Sequence, residues 1–438
     1  MDKKKVLRKI APSRSETARA KKIAKDTQNS LERHLPGNVK TALAGSVAKG
    51  TFLKGAGDID LFAVFPKSYT KEGMFKKLES AAKKAFPDAP RETGYAEHPY
   101  LRIFLGGKRI DLVPSYKMKP GGRIKSSVDR SQLHTGYILD KMKPAQRREV
   151  LLLKQFLKAN LLYGAEIKRK GFSGYLCELL VLHYGDFEKV LEAASKWKPP
   201  VALDPENHYG SSRAIPDFKA PLTVVDPVDL TRNVSAVITR DNLGRFILLA
   251  SSYMDNPSEE YFFPLPMDRE ELRKKAEGRF FFALCFERPE VVDDVMWGQL
   301  WRVAGRLESF LKKAEFVVLG VHPYATGSSC LLLFELRSPV LPKTQIFRGP
   351  FLDQHQHISH FIKKHTPPFF FEHGRINAME DRKLRDISLA MKRFRKGKNF
   401  PSHFQPLAQK AKFFAVDSII EDYPVALEEY FMVNWVPR

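Results

Sequence analysis

The stretch "GSVAKGTFLKGAGDIDLF", residues 45–62, sets a Gly-Ser turn ahead of two aspartates that are separated by one apolar residue. Alternate residues of a strand project to one face, so Asp58 and Asp60 point the same way while Ile59 and Leu61 face a core. Two such carboxylates repel each other. Neither helix capping nor a cross-strand ion pair accounts for both, whereas a divalent cation held by oxygen ligands would. A third acid, Asp111 in "KRIDLVPSY", lies in an apolar strand able to pair beside the first. Three converging carboxylates can hold two metal ions, one activating an attacking hydroxyl and one stabilising a leaving phosphate in an in-line displacement. Gly45 lets the backbone approach a phosphate closely, the amide and hydroxyl of Ser46 can donate to it, and Lys49 adds charge. The competing reading is a surface turn with solvated strand-end aspartates.

Around this stretch the pattern predicts α/β or α+β structure. Residues 13–34 read as a helix, with Ser13 and Glu16 at capping-box spacing. "TALAGS" and "GDIDLFAVFP" read as strands, "KEGMFKKLESAAKKAF" as a helix, and "YLRIFLGGKRIDLVPSY" as a hairpin turning at Gly106 and Gly107. From Arg147 the period becomes helical, through "REVLLLKQFLKANLLYGAE" and "GFSGYLCELLVLHYGDFEKVLEAASKW". A Pro- and Gly-rich stretch, 199–228, ends in "VVDPVDLTRNVSAVI", and a soft boundary falls near 257. Beyond it the order is strand "RFFFALCFE", helix "WGQLWRVAGRLESFLKKAE", strands "FVVLGV" and "SCLLLFELRS", helix "DQHQHISHFIKKH" and strand "FFFEHG". That βαββαβ order is the ferredoxin-like arrangement shared by many RNA-binding modules. A basic segment, "DISLAMKRFRKGKNF", predicts a further helix.

A chain of 438 residues suits two or three domains. No apolar run approaches the roughly 18 to 20 residues that span a bilayer, and "MDKKKVLRKIAPSRSETARA" lacks the apolar core of a secretory signal, so a cytoplasmic protein with no membrane partner is expected. Cys177, Cys285 and Cys330 lie far apart without CxxC spacing, which argues against disulfides and structural zinc. Lys and Arg total 73 against 50 Asp and Glu, and the formal charge of +23 attracts polyanions.

With the Gly-Ser turn, the downstream acid pair and a third strand acid, the chain resembles the DNA polymerase beta-like nucleotidyltransferase superfamily. "FLKG", "DIDLFAVFP", "YAEHPY", "DLVPSYK", "IKSSVDR", "LLLKQFLKANLLYGAE", "GFSGYLCELL" and "VVDPVDLTRNV" narrow the resemblance to the class I, archaeal-type CCA-adding enzymes, which are tRNA nucleotidyltransferases. The similarity runs nearly continuously from about 41 to 255, is looser from 279 to 375, and is poor in the last sixty or so residues.

The resemblance implies an α+β multidomain protein. Residues 1–146 would form a polymerase-beta-like nucleotidyltransferase palm, 147–257 a helical central nucleotide-binding domain, and 258–438 a ferredoxin/RRM-like body with a helical tRNA-binding tail. It implies template-independent addition of C, C and A to the 3′ end of tRNA from CTP and ATP, with two Mg2+ ions on Asp58, Asp60 and Asp111 and pyrophosphate released. A homodimer is left open. Ser46 would hold nucleotide phosphates. Lys49 stands where the family often has arginine and Asp58 where glutamate is frequent, changes that keep the charge and predict altered kinetics with retained chemistry. His134, Lys154 and Tyr163 would meet the incoming nucleotide, and Gly45, Tyr95, Glu97 and His98 would support the site.

The residues themselves bear on several of these assignments. Lys154 is a single cation inside the apolar run "VLLLKQFL", where an unpaired ammonium is costly to bury and a triphosphate would satisfy it. The competing reading puts it on a solvent face with Lys158. Tyr163 lies nine residues on, so the helix must end near Asn160 for both to reach one nucleotide. For Arg232 in "DLTRNV", cytosine N3 and adenine N1 accept hydrogen bonds whereas uracil N3 and guanine N1 carry protons, so a guanidinium suits the first pair. In the family the tRNA backbone supplies acceptors for the exocyclic amines. An ordinary surface ion pair is the competing reading for Arg232. "FRGPF" and "HISHFIKKH" mix aromatic and basic groups suited to tRNA, and His355, His357 and His360 lack a cysteine or carboxylate at zinc-ligand spacing. The rival functions are a poly(A) polymerase or oligoadenylate synthetase on the same scaffold, and a non-catalytic RNA-binding protein.

Overall fold

A computed structural model of the chain describes residues 1–95, 99–118, 127–211, 214–397 and 400–434. They fall into two compact units divided between Leu265 and Pro266. In the first, α1 (Lys3–Ile10) starts at Asp2, whose carboxylate accepts from the Lys4 and Lys5 amides, and it buries Val6 and Ile10. α2 (Arg14–Glu32) is capped by Ser13, which accepts from the Glu16 amide at 3.0 Å. Glu16 does not complete a capping box; its carboxylate accepts from the Gly55 amide at 2.8 Å.

Next come β1 (Lys40–Ala44), the single-turn helix α3 (Gly45–Lys49), β2 (Ile59–Phe65), α4 (Lys71–Ala85), β3 (Arg91–Tyr95), β4 (Pro99–Leu105) and β5 (Lys108–Tyr116). The strands form one sheet in the order β1-β2-β5-β4-β3, in which β2 and β5 are parallel and the other pairs antiparallel. The β4–β5 hairpin turns at Gly106 and Gly107, both at positive φ. Ile59, Leu61, Ile110 and Leu112 face a core shared with Leu31 of α2 and Leu78 of α4. Period-2 alternation therefore leaves Asp60 and Asp111 on the opposite face.

The rest of this unit comprises α5 (Ser127–Lys141), α6 (Pro144–Ala159), α7 (Gly174–Tyr184), α8 (Phe187–Ser195), β6 (Val201–Leu203), β7 (Leu222–Asp226), β8 (Asp229–Asn233) and α9 (Arg240–Asp255). Helices α6 to α9 close around Phe156, Phe187, Phe246 and Tyr253. Val6 and Ile10 of α1 belong to this core, not to the core under the five-stranded sheet. Strands β6, β7 and β8 form a small sheet that delivers Asp226 and Arg232.

In the second unit the order is α10 (Arg269–Ala276), β9 (Phe280–Glu287), α11 (Asp293–Lys313), β10 (Val318–Ala325), β11 (Ser329–Leu336), β12 (Thr344–Phe351), α12 (His355–Lys364), β13 (Phe369–Glu372), β14 (Arg375–Asp381), α13 (Ile387–Lys396), β15 (Lys412–Ala415), α14 (Val416–Asp422) and α15 (Pro424–Asn434). The main sheet has the order β10-β11-β9-β15 and is antiparallel throughout, a ferredoxin-like order with α11 and α13 sharing the core on one face. Its last helix and strand are not those expected from the sequence. Strand β13 and helix α12 instead belong to a separate module, the sheet β12-β14-β13, inserted between β11 and α13. The reason is packing: Phe371 of β13 is largely exposed, whereas Phe413 of β15 stacks on Phe282 of β9 at 5.5 Å.

The terminal segment is not an appended tail either. α14 and α15 bury Ile419, Leu427, Tyr430 and Phe431 against Phe281 and Leu333 on the second face of the main sheet. Among the described residues no helix is long and apolar enough to cross a membrane. Because Leu427 is fully buried in that layer, Leu427→Ala should lower unfolding stability by about 2–5 kcal/mol, measurable by denaturant titration of the full chain. A change within a few tenths of a kcal/mol would mean that α15 is peripheral.

Candidate active site

Parallel pairing of β2 with β5 sets Asp60 directly beside Asp111, and Asp58 stands one residue before β2 begins. Burial first, then the charges of Asp111 and Asp58, push the Asp60 carboxyl up to about 6. Its two neighbours are held by arginines that the sequence reading did not single out. Arg102 grips Asp111 through Nε at 2.8 Å and Nη2 at 3.3 Å, and Arg109 Nη2 lies 2.5 Å from Asp58 Oδ2. Arg102 stands directly opposite Asp111 across the β4–β5 hairpin, a register that the Gly106–Gly107 turn could have flagged. Among the described residues no group of three or more His, Cys, Asp and Glu is arranged to hold a metal ion. Asp58 and Asp111 are each paired with an arginine. The donors nonetheless suit a hard divalent cation: Asp60 and Asp111 lie on one sheet face beside Asp58, and Asp60 is driven toward protonation by burial and then by the other two.

Gly45 has φ +67, and a Cβ there would stand 1.8 Å from Asp60 Oδ2. The glycine is thus required by the catalytic-face carboxylate itself, and Ser46 follows it into the first turn of α3. Tyr95 ends β3, while Glu97 and His98 lie outside the described residues.

Lys49 and Lys154 depart from expectation. Lys154 is not an ammonium awaiting a partner: it is 2% exposed, donates to the Thr51 carbonyl at 2.8 Å, and lies 3.6 Å from Glu178 Oε1. Lys49 is 7% exposed and bonds Glu178 Oε2 at 2.6 Å, while Thr51 Oγ1 donates to Glu178 Oε1 at 2.6 Å. The single-cation argument for Lys154 does not describe this arrangement, and Lys49 carries its charge against a buried carboxylate. The missing signal was Glu178, which the apolar run "GYLCELL" presents as one more helix residue.

The helix break needed to bring Tyr163 near Lys154 is present. α6 ends at Ala159 with Asn160 as its C-cap, Leu161 takes a positive φ, and the chain turns back. A Cβ on Gly174, the first residue of α7, would stand 3.1 Å from the Tyr163 hydroxyl and 3.3 Å from Lys154 Nζ, so both line that helix start. Burial keeps the Tyr163 phenol neutral by raising its pKa.

His134 and Arg232 meet on another buried acid, Asp226, which is fully shielded from solvent. His134 Nε2 and Arg232 Nη1 donate to its Oδ2 at 2.8 and 2.9 Å, and the Tyr175 hydroxyl and Val228 amide donate to Oδ1 at 3.3 and 3.2 Å. The His134 ring stacks on Tyr175 with centroids 3.8 Å apart. Burial lowers the pKa of His134, against the pull of Asp226. Burial alone would raise Asp226, but His134, the Val228 amide and Arg232 outweigh it and lower its pKa. Arg232 is therefore paired, though with a buried anchor and not across an open surface.

A strand carrying an acid pair beside a second strand acid, reached by a glycine-led helical turn, defines a nucleotidyltransferase site, and residues 24–134 match the nucleotidyltransferase domain family. Residues 148–263 match the second domain of tRNA nucleotidyltransferase and 277–402 the C-terminal domain of CCA-adding enzyme. A CCA-adding enzyme of Sulfurisphaera tokodaii is 34% identical over 86% of this chain and 88% of its own length, and one of Archaeoglobus fulgidus is 36% identical over 87% and 86%. A solved structure of the Cid1 poly(U) polymerase superposes with TM-score 0.48 at 14% identity, over 60% of this chain and 95% of that one. The chain belongs to the CCA-adding enzyme family of tRNA nucleotidyltransferases. The C-terminal match does not favour the poly(A) polymerase, oligoadenylate synthetase or non-catalytic readings.

The crowded carboxylates carry a stability cost with a defined pH course. Asp60 is raised from 3.8 to about 6 in the fold, so its ionisation disfavours the native state. Below pH 4 the cost is absent, it grows as pH rises to about 6, and it stays constant above. Asp60→Asn should therefore stabilise the metal-free protein by about 1–3 kcal/mol at pH 7.5 and hardly at all at pH 4. Thermal melts in a chelator across that range test it, and a pH-independent difference would contradict the assignment.

Proposed function

We propose that this chain adds C, C and A to the 3′ end of tRNA from CTP and ATP, releasing pyrophosphate, without a nucleic-acid template. The observation that carries the reading is the pairing of Asp60 with Asp111 on adjacent parallel strands beside the Gly45–Ser46 turn, in a chain whose three segments match successive parts of CCA-adding enzymes. Asp58, Asp60 and Asp111 are the residues that would hold two Mg2+ ions. Bound there, magnesium supplies activation of the terminal 3′ hydroxyl and charge stabilisation for the departing pyrophosphate.

The chain's own residues bind and orient. Ser46 contacts the nucleotide phosphates at the start of α3, while Lys154 and Tyr163 face the same nucleotide beside the start of α7, and Lys49 at the end of α3 adds positive charge. Arg102 and Arg109 neutralise Asp111 and Asp58 before the cations arrive. Arg232, oriented by Asp226 together with His134, offers donors to cytosine N3 or adenine N1 and opposes the N–H groups of uracil and guanine. Residues 1–146 act as the catalytic palm, 147–257 as the nucleotide-binding domain, and 258–438 as the tRNA-binding body, in a cytoplasmic protein. In that body α11 and α13 present Arg302, Lys313 and Arg393 around a groove of about 670 Å³ suited to phosphates.

Incubating tRNA that lacks its CCA end with each nucleotide separately and in combination tests the reaction. Two cytidines from CTP alone and one adenosine after ATP is added are expected, and open-ended adenosine addition would reject it. Asp60→Asn should cut incorporation at least about a hundredfold while leaving tRNA affinity within about twofold. Arg232→Ala should lower the preference for CTP over UTP at least about tenfold with tRNA affinity retained. Unchanged selectivity would remove Arg232 from base recognition.

A further inference from the structure

Glu178 has no part in the reaction as described above, yet it is a fully buried charge with partners from three segments of the chain. It is fully buried on α7 and accepts from Lys49 Nζ and Thr51 Oγ1, both at 2.6 Å, with Lys154 Nζ 3.6 Å away. Those partners come from three places in the chain: Lys49 from the end of α3, Thr51 from the loop after it, and Lys154 from the middle of α6. Lys154 adds a second tie by donating to the Thr51 carbonyl at 2.8 Å and to its hydroxyl at 3.3 Å. The network therefore joins the helical turn behind Gly45 and Ser46 to the helix start where Gly174 lies beside Lys154 and Tyr163.

Two lysines share this one carboxylate. Burial, with Lys49 beside it, lowers the pKa of Lys154 against the pull of Glu178, so the shared carboxylate is what holds both amines in a site shielded from water. Lys49 also lies 5.8 Å from the Tyr175 ring centroid, and Tyr175 stacks on His134, so the network continues to the residues around Asp226. Burial would raise Glu178, but Lys154, Lys49 and Thr51 outweigh it and hold its carboxyl below the usual range, so it stays ionised.

We propose that Glu178 is a positioning residue: one shared carboxylate fixes the side-chain amines of Lys49 and Lys154 as a preformed pair that receives the triphosphate of CTP or ATP. The proposal rests on the nucleotidyltransferase reading given above. It assigns Glu178 no contact with substrate; it sets where two amines stand and how far the α3 turn lies from α6. A carboxylate placed only to stabilise the core would not influence nucleotide affinity, whereas a positioning carboxylate acts on nucleotide affinity before it acts on chemistry.

The test uses the full-length protein with tRNA lacking its CCA end. Glu178→Gln should raise KM for CTP at least about tenfold, with kcat within about threefold of the unsubstituted enzyme and tRNA affinity unchanged. Glu178→Asp, which keeps the charge on a shorter arm, should fall between the two. The KM effects of Glu178→Gln and Lys49→Met should be clearly less than additive when combined, because each disturbs the same pair. If Glu178→Gln does not fold, the cycle is run with Glu178→Asp. An unchanged KM, a loss confined to kcat and melting temperature, or additive effects would overturn the proposal. Failure of the unsubstituted protein to extend tRNA would instead reject the functional reading itself.

Discussion

The parallel pairing of β2 with β5 is the constraint on which the rest of the catalytic face depends. In-register parallel strands place Asp60 and Asp111 on one side of the sheet at neighbouring-strand spacing, and no rotamer can take them far apart. What surrounds them answers that crowding. Gly45, lacking a Cβ, leaves room for the Asp60 carboxylate, and Arg102 and Arg109 lean in from β4 and β5 to neutralise Asp111 and Asp58. Asp60, which has no guanidinium partner of its own among the described residues, bears the remaining stress as a raised pKa. A fold chosen for stability alone would not gather three acids here.

A second theme is the use of buried carboxylates as shared counter-ions. Glu178 serves Lys49 and Lys154, and Asp226 serves His134 and Arg232. In both cases one acid fixes cationic or polar groups from separate segments, so the positions of side chains that would face a nucleotide are set by packing inside the protein. Such pairs are costly to desolvate and costlier to break, because removing one partner leaves an unpaired buried charge. That cost makes the geometry rigid, which is what discrimination between nucleotides without a template demands.

The second unit shows how a common sheet can be assembled from distant pieces. Strand β15 follows β9 by more than a hundred residues, yet completes its edge, and the module of β12, α12, β13 and β14 is spliced in before α13. The closing layer of α14 and α15 then covers the sheet's other face. The basic segment that carries α13 is likewise part of the hydrophobic core, through Ile387, Ala390 and Met391.

Much of this was legible in the amino-acid order because it is local. The strand alternation around Asp58 and Asp60, the Gly106–Gly107 turn, the Ser13 cap and the end of α6 near Asn160 each follow from a few neighbouring residues and their backbone preferences. The family resemblance rested on the same short motifs. What the tertiary structure alone decided was partnership across long separations: Glu178 with Lys49, Asp226 with His134, β15 with β9, and α1 with the helical core. Charge and hydrophobicity patterns state what a residue needs, a counter-ion or a covered face. Which distant group meets that need is settled by three-dimensional packing, because a buried ion pair or strand edge carries no mark of its partner along the chain.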